Sequence, residues 1–404
     1  MMFCCNGIIF NVFSVFLPFI KHSFALSNTQ FSVMITCRSL SSLLSISLCG
    51  SYYRHLSLRT GMFLASMICV TALFCYTFAG SYKVLLAGAV LSGLGYGLGT
   101  NVPIAMMLGR WFVYRRNFAM SLVSMATSIA LVGFPSAVTW LVGKYSLGYA
   151  LALVAILDLC VAVAGISLLR NHPDDLGLLP YGKSEDSSET HEREAEQTVD
   201  NTKKRQPARM LHSCGVTKED WLLLGPAILL LGAVAWTAAG YMTVLFDSIG
   251  VRPHLIAISM TVYGMSLLVA KLIYGWLTDV LGSYLCNWFY CLMLILGCIL
   301  LCMGGRFPLA VWLGSAALGI GMTVSIVGLV AWAGDLGTSE QYNTLIQRFQ
   351  FLLTVGGILF TTAPGVIADH AGGSYIPAYM ILAVFSLLFT VSIQLLYYRK
   401  MHNV

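Results

Sequence analysis

Charged residues are scarce in this sequence. Only 10% of its 404 residues are Asp, Glu, Lys or Arg, against about 25% in a typical soluble domain. The few that occur are unevenly spread, because residues 171–217 hold 15 of the 40 charged side chains. The rest of the chain cannot form the charged shell of a soluble domain. The net charge of +6 lies in loops rather than on a face that would bind nucleic acid.

The sequence also lacks the short motifs of enzymes and metal sites. It has no G-x-S-x-G, no H-E-x-x-H and no P-loop, which are signatures of hydrolases, zinc proteases and nucleotide-binding proteins. Its twelve cysteines include no C-x-x-C pair and lie mostly in apolar runs, as expected of buried thiols rather than zinc ligands. We therefore expect a protein that is not an enzyme and that holds no metal or cofactor.

Long apolar runs, in contrast, are abundant. A helix needs about 20 apolar residues to cross a bilayer, because the hydrocarbon core is about 30 Å thick and each residue rises about 1.5 Å. Twelve such runs occur, six on each side of the polar stretch: 3–20, 31–52, 59–79, 84–107, 117–142, 147–169, 220–246, 255–278, 284–304, 308–332, 341–367 and 375–398. Because lipid offers no hydrogen-bond partners to backbone groups, the runs can only be helices or the strands of a closed barrel, and barrel strands would be shorter. We predict an all-α integral membrane protein with twelve transmembrane helices in two six-helix pseudo-repeats.

The distribution of Lys and Arg predicts the orientation. With the amino terminus inside, 15 of the 23 basic residues fall in inner loops and 5 in outer loops, which favours cytoplasmic termini. The predicted parts are an amino-terminal bundle (1–170) whose first helix we expect to be truncated, a flexible cytoplasmic linker (171–217) and a carboxy-terminal bundle (218–404). We expect a monomer embedded in the lipid of the plasma membrane, without a nucleic-acid partner.

Matching loops in the two halves carry similar residues. These are Gly50, Arg54 and Arg59 after the second run, and Gly275, Asp279 and Gly282 after the eighth. Together they resemble the G-x-x-x-D-R-x-G-x-R loop of the major facilitator superfamily, although Arg54 stands in place of the Asp in the first copy and the second copy lacks the arginines. The resemblance implies a carrier that works by alternating access. The loop residues predicted to act in gating are Gly50, Arg59, Gly275, Asp279 and Gly282.

Two further segments resemble one branch of this family. Arg110-Trp111-Phe112 with Arg115-Arg116 is similar to the R-W-F-x-x-R-R junction of the oxalate:formate antiporter and monocarboxylate transporter branch. The segment from His172 to Gly182 is similar to the P-E-D-x-G-x-x-P-x-G segment of the same branch. Arg110, Arg115 and Arg116 are predicted to contact lipid headgroups or a partner helix when the inner gate is closed, and simple topology anchoring is the alternative.

Two cations are expected inside the membrane at one depth. Lys271 lies about seven residues before the inner end of the eighth run and Arg348 about seven after the start of the eleventh, so both are about 10 Å from the inner surface. An ionisable group in a span costs at least about 2.5–3.5 kcal/mol. No acidic residue inside the predicted spans of that half is available as an anion between the two cations, because the one that falls in a run, Asp220, is the first residue of the seventh. We therefore predict that both cations bind the carboxylate of a small organic anion; snorkelling to headgroups is the alternative.

The family resemblance favours Lys271 in particular, because its spacing to Gly275 matches a basic residue of the branch. Other polar and aromatic residues in the runs are candidate cavity walls, although packing would explain each of them: Tyr96, Asn101, Trp236, Tyr241, Trp332 and Gln350. Arg38 is interpreted as an outer gate, a second substrate contact or a snorkelling side chain. Asp158 is expected to have a structural partner rather than to carry protons.

The sequence thus predicts a secondary carrier of small mono- or dicarboxylates that works by proton symport or by anion exchange. The scarcity of buried carboxylates favours exchange. Within the class, the alternative is a carrier of a sugar or drug in which the cations are incidental. A membrane enzyme lacks its motifs, and a non-transporting sensor would need a folded output domain that residues 171–217 cannot form. A channel is disfavoured because no rings of charge recur.

Overall fold

The structure, a computed structural model, describes residues 1–26, 28–112, 115–181, 215–338 and 340–402, and these are mostly helical. We number the helices by the runs to which they correspond: α1 (Phe3–Val12 continued by Phe13–Ser23), α2 (Asn28–His55), α3 (Leu58–Thr77), α4 (Tyr82–Gly99 and Asn101–Trp111), α5 (Arg116–Lys144), α6 (Leu147–Leu168), α7 (Asp220–Gly240 and Met242–Ser248), α8 (Pro253–Leu281), α9 (Ser283–Cys302), α10 (Pro308–Met322 and Gly328–Leu336), α11 (Tyr342–Phe360 and Ala363–His370) and α12 (Ile376–His402).

Ten helices in the described ranges are long and apolar enough to cross a membrane. They coincide with ten of the predicted runs. The other two runs, 3–20 and 117–142, correspond to α1 and α5, in which shorter apolar helices occur at Phe3–Val12 and Arg116–Val132. The chain is therefore a multi-pass membrane protein, as predicted.

The helix α6 illustrates why these sequences are apolar on every side. Leu153, Ile156 and Val163 are exposed on its outer surface, while Ala155 and Asp158 are buried inside the bundle. A helix that is apolar all round is one whose outer side faces lipid and whose inner side faces other helices. Its amino terminus is set by Ser146, whose side chain accepts a hydrogen bond from the amide of Tyr149.

Every third helix from α1 to α10 is interrupted. The first part of α1 is a π-helix that ends at Val12, α4 breaks at Thr100, α7 breaks at Tyr241, and α10 passes through a 3₁₀ turn at Thr323–Ser325. The predicted runs cross these positions without a break, because hydropathy carries no information on backbone geometry. Broken membrane helices are tolerated where they line a cavity or are buried in protein, and π-helical turns often occur at functional positions.

The two halves of the chain, before and after the linker, have the same order of helix neighbours. In the first half α4 packs against α2 and α3, α6 against α3, and α1 against α5. In the second half α10 packs against α8 and α9, α12 against α9, and α7 against α11. The halves meet through α2 with α11 and through α5 with α8. If α1–α6 are matched in order with α7–α12, each of these two contacts becomes the other. This is the pseudo-symmetry expected of an internal repeat.

The described residues that follow α6 (171–181) and precede α7 (215–219) lie at one end of the bundle, which we call the linker end. There Pro173–Leu176 forms a 3₁₀ turn, and the amide of Tyr181 donates to the carbonyl of Trp111 at 2.8 Å. Residues 171–181, which the sequence predicted to be part of a flexible linker, are thus folded against the end of α4. The remainder of that predicted linker, from 182 to 214, lies outside the described residues.

Candidate functional site

Lys271 lies in the middle of α8 and is fully buried. Its ammonium donates to the carbonyl of Ser124 at 3.0 Å and to the hydroxyl of Thr127 at 2.7 Å, both on α5. Within the described ranges no Asp or Glu forms an ion pair with it. Burying an ammonium costs several kcal/mol even after relaxation, and neutral hydrogen-bond acceptors offset that only in part. The surroundings of Lys271 are therefore suited to an additional anion.

The helix periodicity explains why Lys271 faces the other half. Gly264, Lys271, Gly275 and Asp279 are spaced by seven, four and four residues, which places them on one face of α8. That face packs against α5, where small side chains recur at Ser121, Ser124 and Thr127.

The π-helical segment of α1 connects Lys271 with a second cation. The amide nitrogen of the Asn11 side chain donates to the carbonyl of Thr127 at 3.0 Å. Two residues earlier, the carbonyl of Ile9 accepts a hydrogen bond from Arg38 of α2 at 2.7 Å. The Arg38 guanidinium also lies 5.0 Å from the ring centre of Phe10, within range of a cation–π contact. Arg38 thus contacts the segment formed by residues 9–11 directly, and Lys271 is linked to it through Thr127.

Aromatic side chains from both halves meet at the same segment. Phe10 stacks on Tyr96 of α4 with ring centres 5.0 Å apart and meets Trp236 of α7 edge-on at 5.3 Å. Trp236 lies so close to Gly357 of α11 that a side chain at that position would collide with the indole. Of the predicted cavity walls, Tyr96 and Trp236 therefore lie in the region of the two cations.

The halves are in close contact between this region and the linker end, on a surface that we call the seam. Asn101 donates to the side-chain oxygen of Gln350 across the seam at 2.8 Å, and both residues are buried. Nearer to the linker end, the amide of Gln347 donates to the carbonyls of Ile46 and Ser47 at 3.0 and 2.8 Å. The predicted pair Asn101 and Gln350 thus lies together, with one hydrogen bond between the two side chains, while the Asn101 side-chain oxygen has no hydrogen-bond partner in the described residues.

The predicted gating glycines lie at the seam as well. A Cβ on Gly50 would stand 2.6 Å from the side-chain oxygen of Gln347, and one on Gly275 would collide with Ser121 of α5. Gly282 joins α8 to α9 with φ of +82°, a backbone conformation that favours glycine. The first two glycines allow the halves to approach, and the third permits the turn between helices.

Two of the predicted gating charges also reach across the seam. The carboxylate of Asp279 accepts from the amide of Phe118, in the first turn of α5, at 3.0 Å, where a helix dipole favours negative charge. The guanidinium of Arg116 lies 3.5 Å from the ring centre of Tyr342 on α11. With the amide contacts described above, these interactions close the bundle at its linker end.

Two of the other predicted gating arginines, Arg59 and Arg110, have partners within the first half. Arg59 donates to the carbonyl of Ile166 at 3.0 Å, and Arg110 lies 3.1 Å from the imidazole of His172. Arg115 begins α5 with φ of +55°. In this conformation Arg59 and Arg110 hold the end of α6 and the folded segment after it rather than the seam.

Three predicted substrate or cavity residues lie elsewhere. Arg348 is exposed beside Trp221, in a surface groove whose lining does not include Lys271. Trp332 is fully buried and donates to Asn287 inside the second half at 3.0 Å. Tyr241 donates to the carbonyl of Thr361 at 2.7 Å, where α7 and α11 are both interrupted.

Asp158 is fully buried in α6. Neither of its carboxylate oxygens has a hydrogen-bond partner of good geometry in the described residues, but the thiol of Cys4 lies beside it and approaches its backbone carbonyl at 3.7 Å. That Asp158 has a structural role rather than a role in carrying protons stays a prediction.

Several residues of this region were not predicted from the sequence, namely Phe10, Asn11, Ser124, Thr127 and Gln347. A signal existed for the α5 residues, because small polar side chains recur every three residues along one face from Ser121 to Thr127. None existed for Phe10 and Asn11, whose position depends on the π-helix. The described residues contain no group of three or more His, Cys, Asp or Glu that could hold a metal ion.

Comparison with known proteins gives a consistent result. Monocarboxylate transporter 12 of Rattus norvegicus is 28% identical over 360 residues, covering 83% of this chain and 71% of that protein. Monocarboxylate transporter 12 of Xenopus laevis is 28% identical over 365 residues, covering 84% and 74%. The crystal structure of FucP, a Major Facilitator Superfamily transporter in the outward conformation, shares the fold with a TM-score of 0.67 at 14% identity, covering 98% and 96% of the two chains.

The family assignment rests on more than half of the sequence. A family model described as the Major Facilitator Superfamily matches residues 1–246. The matched segment includes the first-copy loop, the arginine junction and the interrupted α4, so it contains most of the features from which the resemblance was first drawn. The chain belongs to the Major Facilitator Superfamily and is a membrane transporter, not an enzyme.

Proposed function

We propose that the protein is a secondary active transporter of a small organic anion, a mono- or dicarboxylate, and that the carboxylate binds at Lys271. The observation that carries this proposal is an ammonium that is fully buried, is bonded only to a carbonyl and a hydroxyl, and has no carboxylate partner in the described residues. A bound carboxylate would supply the missing negative charge and accept the remaining ammonium proton. The relatives reported above are named monocarboxylate transporter 12, which supports a carboxylate as the substrate.

The substrate site would extend from Lys271 over the neighbouring aromatic side chains. Phe10, Tyr96 and Trp236 offer an apolar surface for the carbon skeleton, and Arg38 lies at its far side. Asn101 and Gln350 would form the floor of the site, because their mutual hydrogen bond lies between it and the linker end. Tyr241 would act at the opposite end, through the interrupted parts of α7 and α11.

The orientation follows from the basic residues of the loops. We infer twelve membrane-crossing helices, with α1 and α5 crossing as well, in two bundles (1–170 and 218–404) joined by a cytoplasmic linker (171–217). The linker end is then cytoplasmic, and a bundle closed at that end faces outward. Alternating access would break the contacts of Gln347, Asp279 and Arg116 across the seam and form others at the opposite end.

The coupling mode is proposed to be anion exchange, because Asp158, which is the fully buried carboxylate among the described helices, lies on α6 beside Cys4 and away from Lys271. In proton symport, the alternative, the proton would travel with the substrate or on a side chain of the chain. The protein is proposed to act as a monomer in the plasma membrane.

Tracer counterflow tests this proposal. The purified chain is reconstituted in proteoliposomes that are loaded in turn with unlabelled lactate, pyruvate, formate or oxalate, and uptake of the matching labelled anion is measured. We expect at least one anion to accumulate transiently, and the Lys271→Gln variant to show no accumulation. The matched control is Lys144→Gln, which removes an exposed lysine at the opposite end of α5. Absence of counterflow for all four anions, or unchanged counterflow in Lys271→Gln, contradicts the proposal.

A further inference from the structure

A groove at the linker end of the bundle contains the cation that the substrate site does not use. It has a volume of about 540 Å³. Its lining comes from three helices: Ser47 of α2, Trp221 of α7, and Thr344, Gln347, Arg348, Phe351 and Leu352 of α11. Because α2 belongs to the first half and α7 and α11 to the second, the groove lies over the seam.

The positive charge of the groove comes from Arg348, and the contacts of this side chain indicate its depth in the bundle. Arg348 is the seventh residue of α11, yet its guanidinium lies 5.6 Å from the ring centre of Trp221, which is the second residue of α7. The side chain therefore extends back toward the linker end, as a snorkelling cation does. Trp is typical of the boundary between headgroups and hydrocarbon, so a guanidinium beside Trp221 is suited to contact a lipid headgroup.

The charge in the groove is not neutralised by its own walls. Arg348 is exposed, and no Asp or Glu is among the described lining residues. Farther from the linker end the walls become apolar at Phe351 and Leu352. The adjacent surface of α2 exposes Leu44 and Leu48. A positive group above a continuous apolar surface matches a molecule with an anionic head and a hydrocarbon tail.

We propose that this groove binds one anionic phospholipid from the leaflet at the linker end. The phosphate contacts Arg348, the glycerol region lies near Trp221, and an acyl chain follows Phe351 and Leu352. The site is independent of Lys271 and goes beyond the proposed transport function.

Binding of this lipid favours the conformation in which the linker end is closed. Ser47 forms the wall on the first half, and its carbonyl also accepts the hydrogen bond from Gln347 of the second half. Opening of the linker end separates these walls and removes the groove. A ligand that binds only one of two states stabilises that state.

Thermal unfolding of the purified full chain in detergent tests the site. The melting temperature is measured with added phosphatidylglycerol, phosphatidylcholine or inorganic phosphate at matched concentration. We expect phosphatidylglycerol to raise it by about 3 °C more than phosphatidylcholine, a shift that corresponds to roughly tenfold preferential binding. Inorganic phosphate is expected to give no such shift, and an equal shift with phosphate overturns the proposal in favour of a free-anion site.

Three variants assign the effect to the groove. Arg348→Gln is expected to abolish the preference for phosphatidylglycerol, and Arg348→Lys, which keeps the charge, to retain most of it. Arg54→Gln removes an exposed arginine at the same end but outside the groove and is expected to behave like the wild type. A preference that persists in Arg348→Gln, or that is lost equally in Arg54→Gln, contradicts the proposal.

Quenching of Trp221 gives a second measurement that needs no change at Arg348. The Trp221 signal is taken as the difference between the wild type and Trp221→Phe in proteoliposomes. Dibrominated phosphatidylglycerol is expected to quench this signal at least about twofold more than dibrominated phosphatidylcholine at the same mole fraction, because a bound lipid raises the local bromine concentration. Equal quenching by the two lipids overturns the proposal.

Discussion

Lys271 and Arg348 stand at similar depth in the sequence-derived bundle but have opposite surroundings. Lys271 is fully buried between α8 and α5 and bonds only to neutral groups, whereas Arg348 is exposed in a surface groove beside Trp221. The difference lies in the angular position on the helix. Lys271 shares a face with Gly275 and Asp279, while Arg348 precedes the buried Gln350 by two residues, about 200° around α11. The depth of a cation in the membrane therefore does not identify a substrate contact. The face of the helix on which the cation lies determines whether it is buried in the bundle.

Removing each charge in turn tests most directly whether Lys271 and Arg348 differ in function. Once counterflow has identified a transported carboxylate, its binding is measured by thermal shift in Lys271→Gln and Arg348→Gln. We expect Lys271→Gln to lose the shift, with an affinity loss of about 30-fold or more, because removing one partner of a buried charge pair costs about 2–5 kcal/mol. Arg348→Gln is expected to bind within about twofold of the wild type, as for an exposed charge.

A loss of carboxylate binding in Arg348→Gln equal to that in Lys271→Gln would return Arg348 to the substrate site and contradict the distinction between the two regions. The transport-neutral Lys144→Gln variant controls for the general effect of one positive charge fewer.

Much of the fold followed from the sequence, because membrane-spanning helices depend on length and composition. Ten apolar runs were confirmed, and Gly275 and Asp279 of the second-copy loop lie at the seam. The interruptions of α1, α4, α7 and α10 could not be predicted, since a π-helix or a 3₁₀ turn changes backbone hydrogen bonding without changing hydropathy. For the same reason Phe10 and Asn11 were missed, although both contact the candidate site.

The second-largest effect is expected at the glycines of the seam. Gly275→Val would place methyl groups against Ser121 and the backbone of α5, so the linker end cannot close and transport is lost. Gly50→Val meets only the side chain of Gln347, which can move, so we expect a smaller loss of roughly threefold to tenfold. Maleimide labelling of Cys49, which is buried near the linker end, reports the opening.

Labelling of Cys49 should therefore be fastest in Gly275→Val, intermediate in Gly50→Val and slowest in the wild type. Gly143→Val, at a position where an added Cβ meets nothing within 4 Å, is the matched control and is expected to label at the wild-type rate. Labelling that is equally slow in all four proteins would show that the seam is not the barrier at the linker end.

A smaller effect is expected from the amide pair between Asn101 and Gln350. Gln350→Leu leaves the buried Asn101 amide without its partner, which costs about 1–3 kcal/mol and shifts the population toward the open linker end. Replacing both residues, with Asn101→Leu and Gln350→Leu together, removes the unpaired group and should restore part of the loss. Cys49 labelling measures both variants, and a double variant that opens more than the single one would contradict the assigned hydrogen bond.

The smallest effect is expected at Asp158, which separates anion exchange from a proton relay. Its carboxylate oxygens have no hydrogen-bond partner in the described residues, and it lies on α6, outside the face that contacts the other half. Asp158→Asn keeps the size of the side chain and should change counterflow by less than about twofold, since no charge pair is broken. Ser386→Ala, a buried position within the second half, serves as the packing control. If Asp158→Asn abolishes net uptake driven by a pH gradient but preserves exchange, Asp158 carries protons and the proposal of anion exchange is wrong.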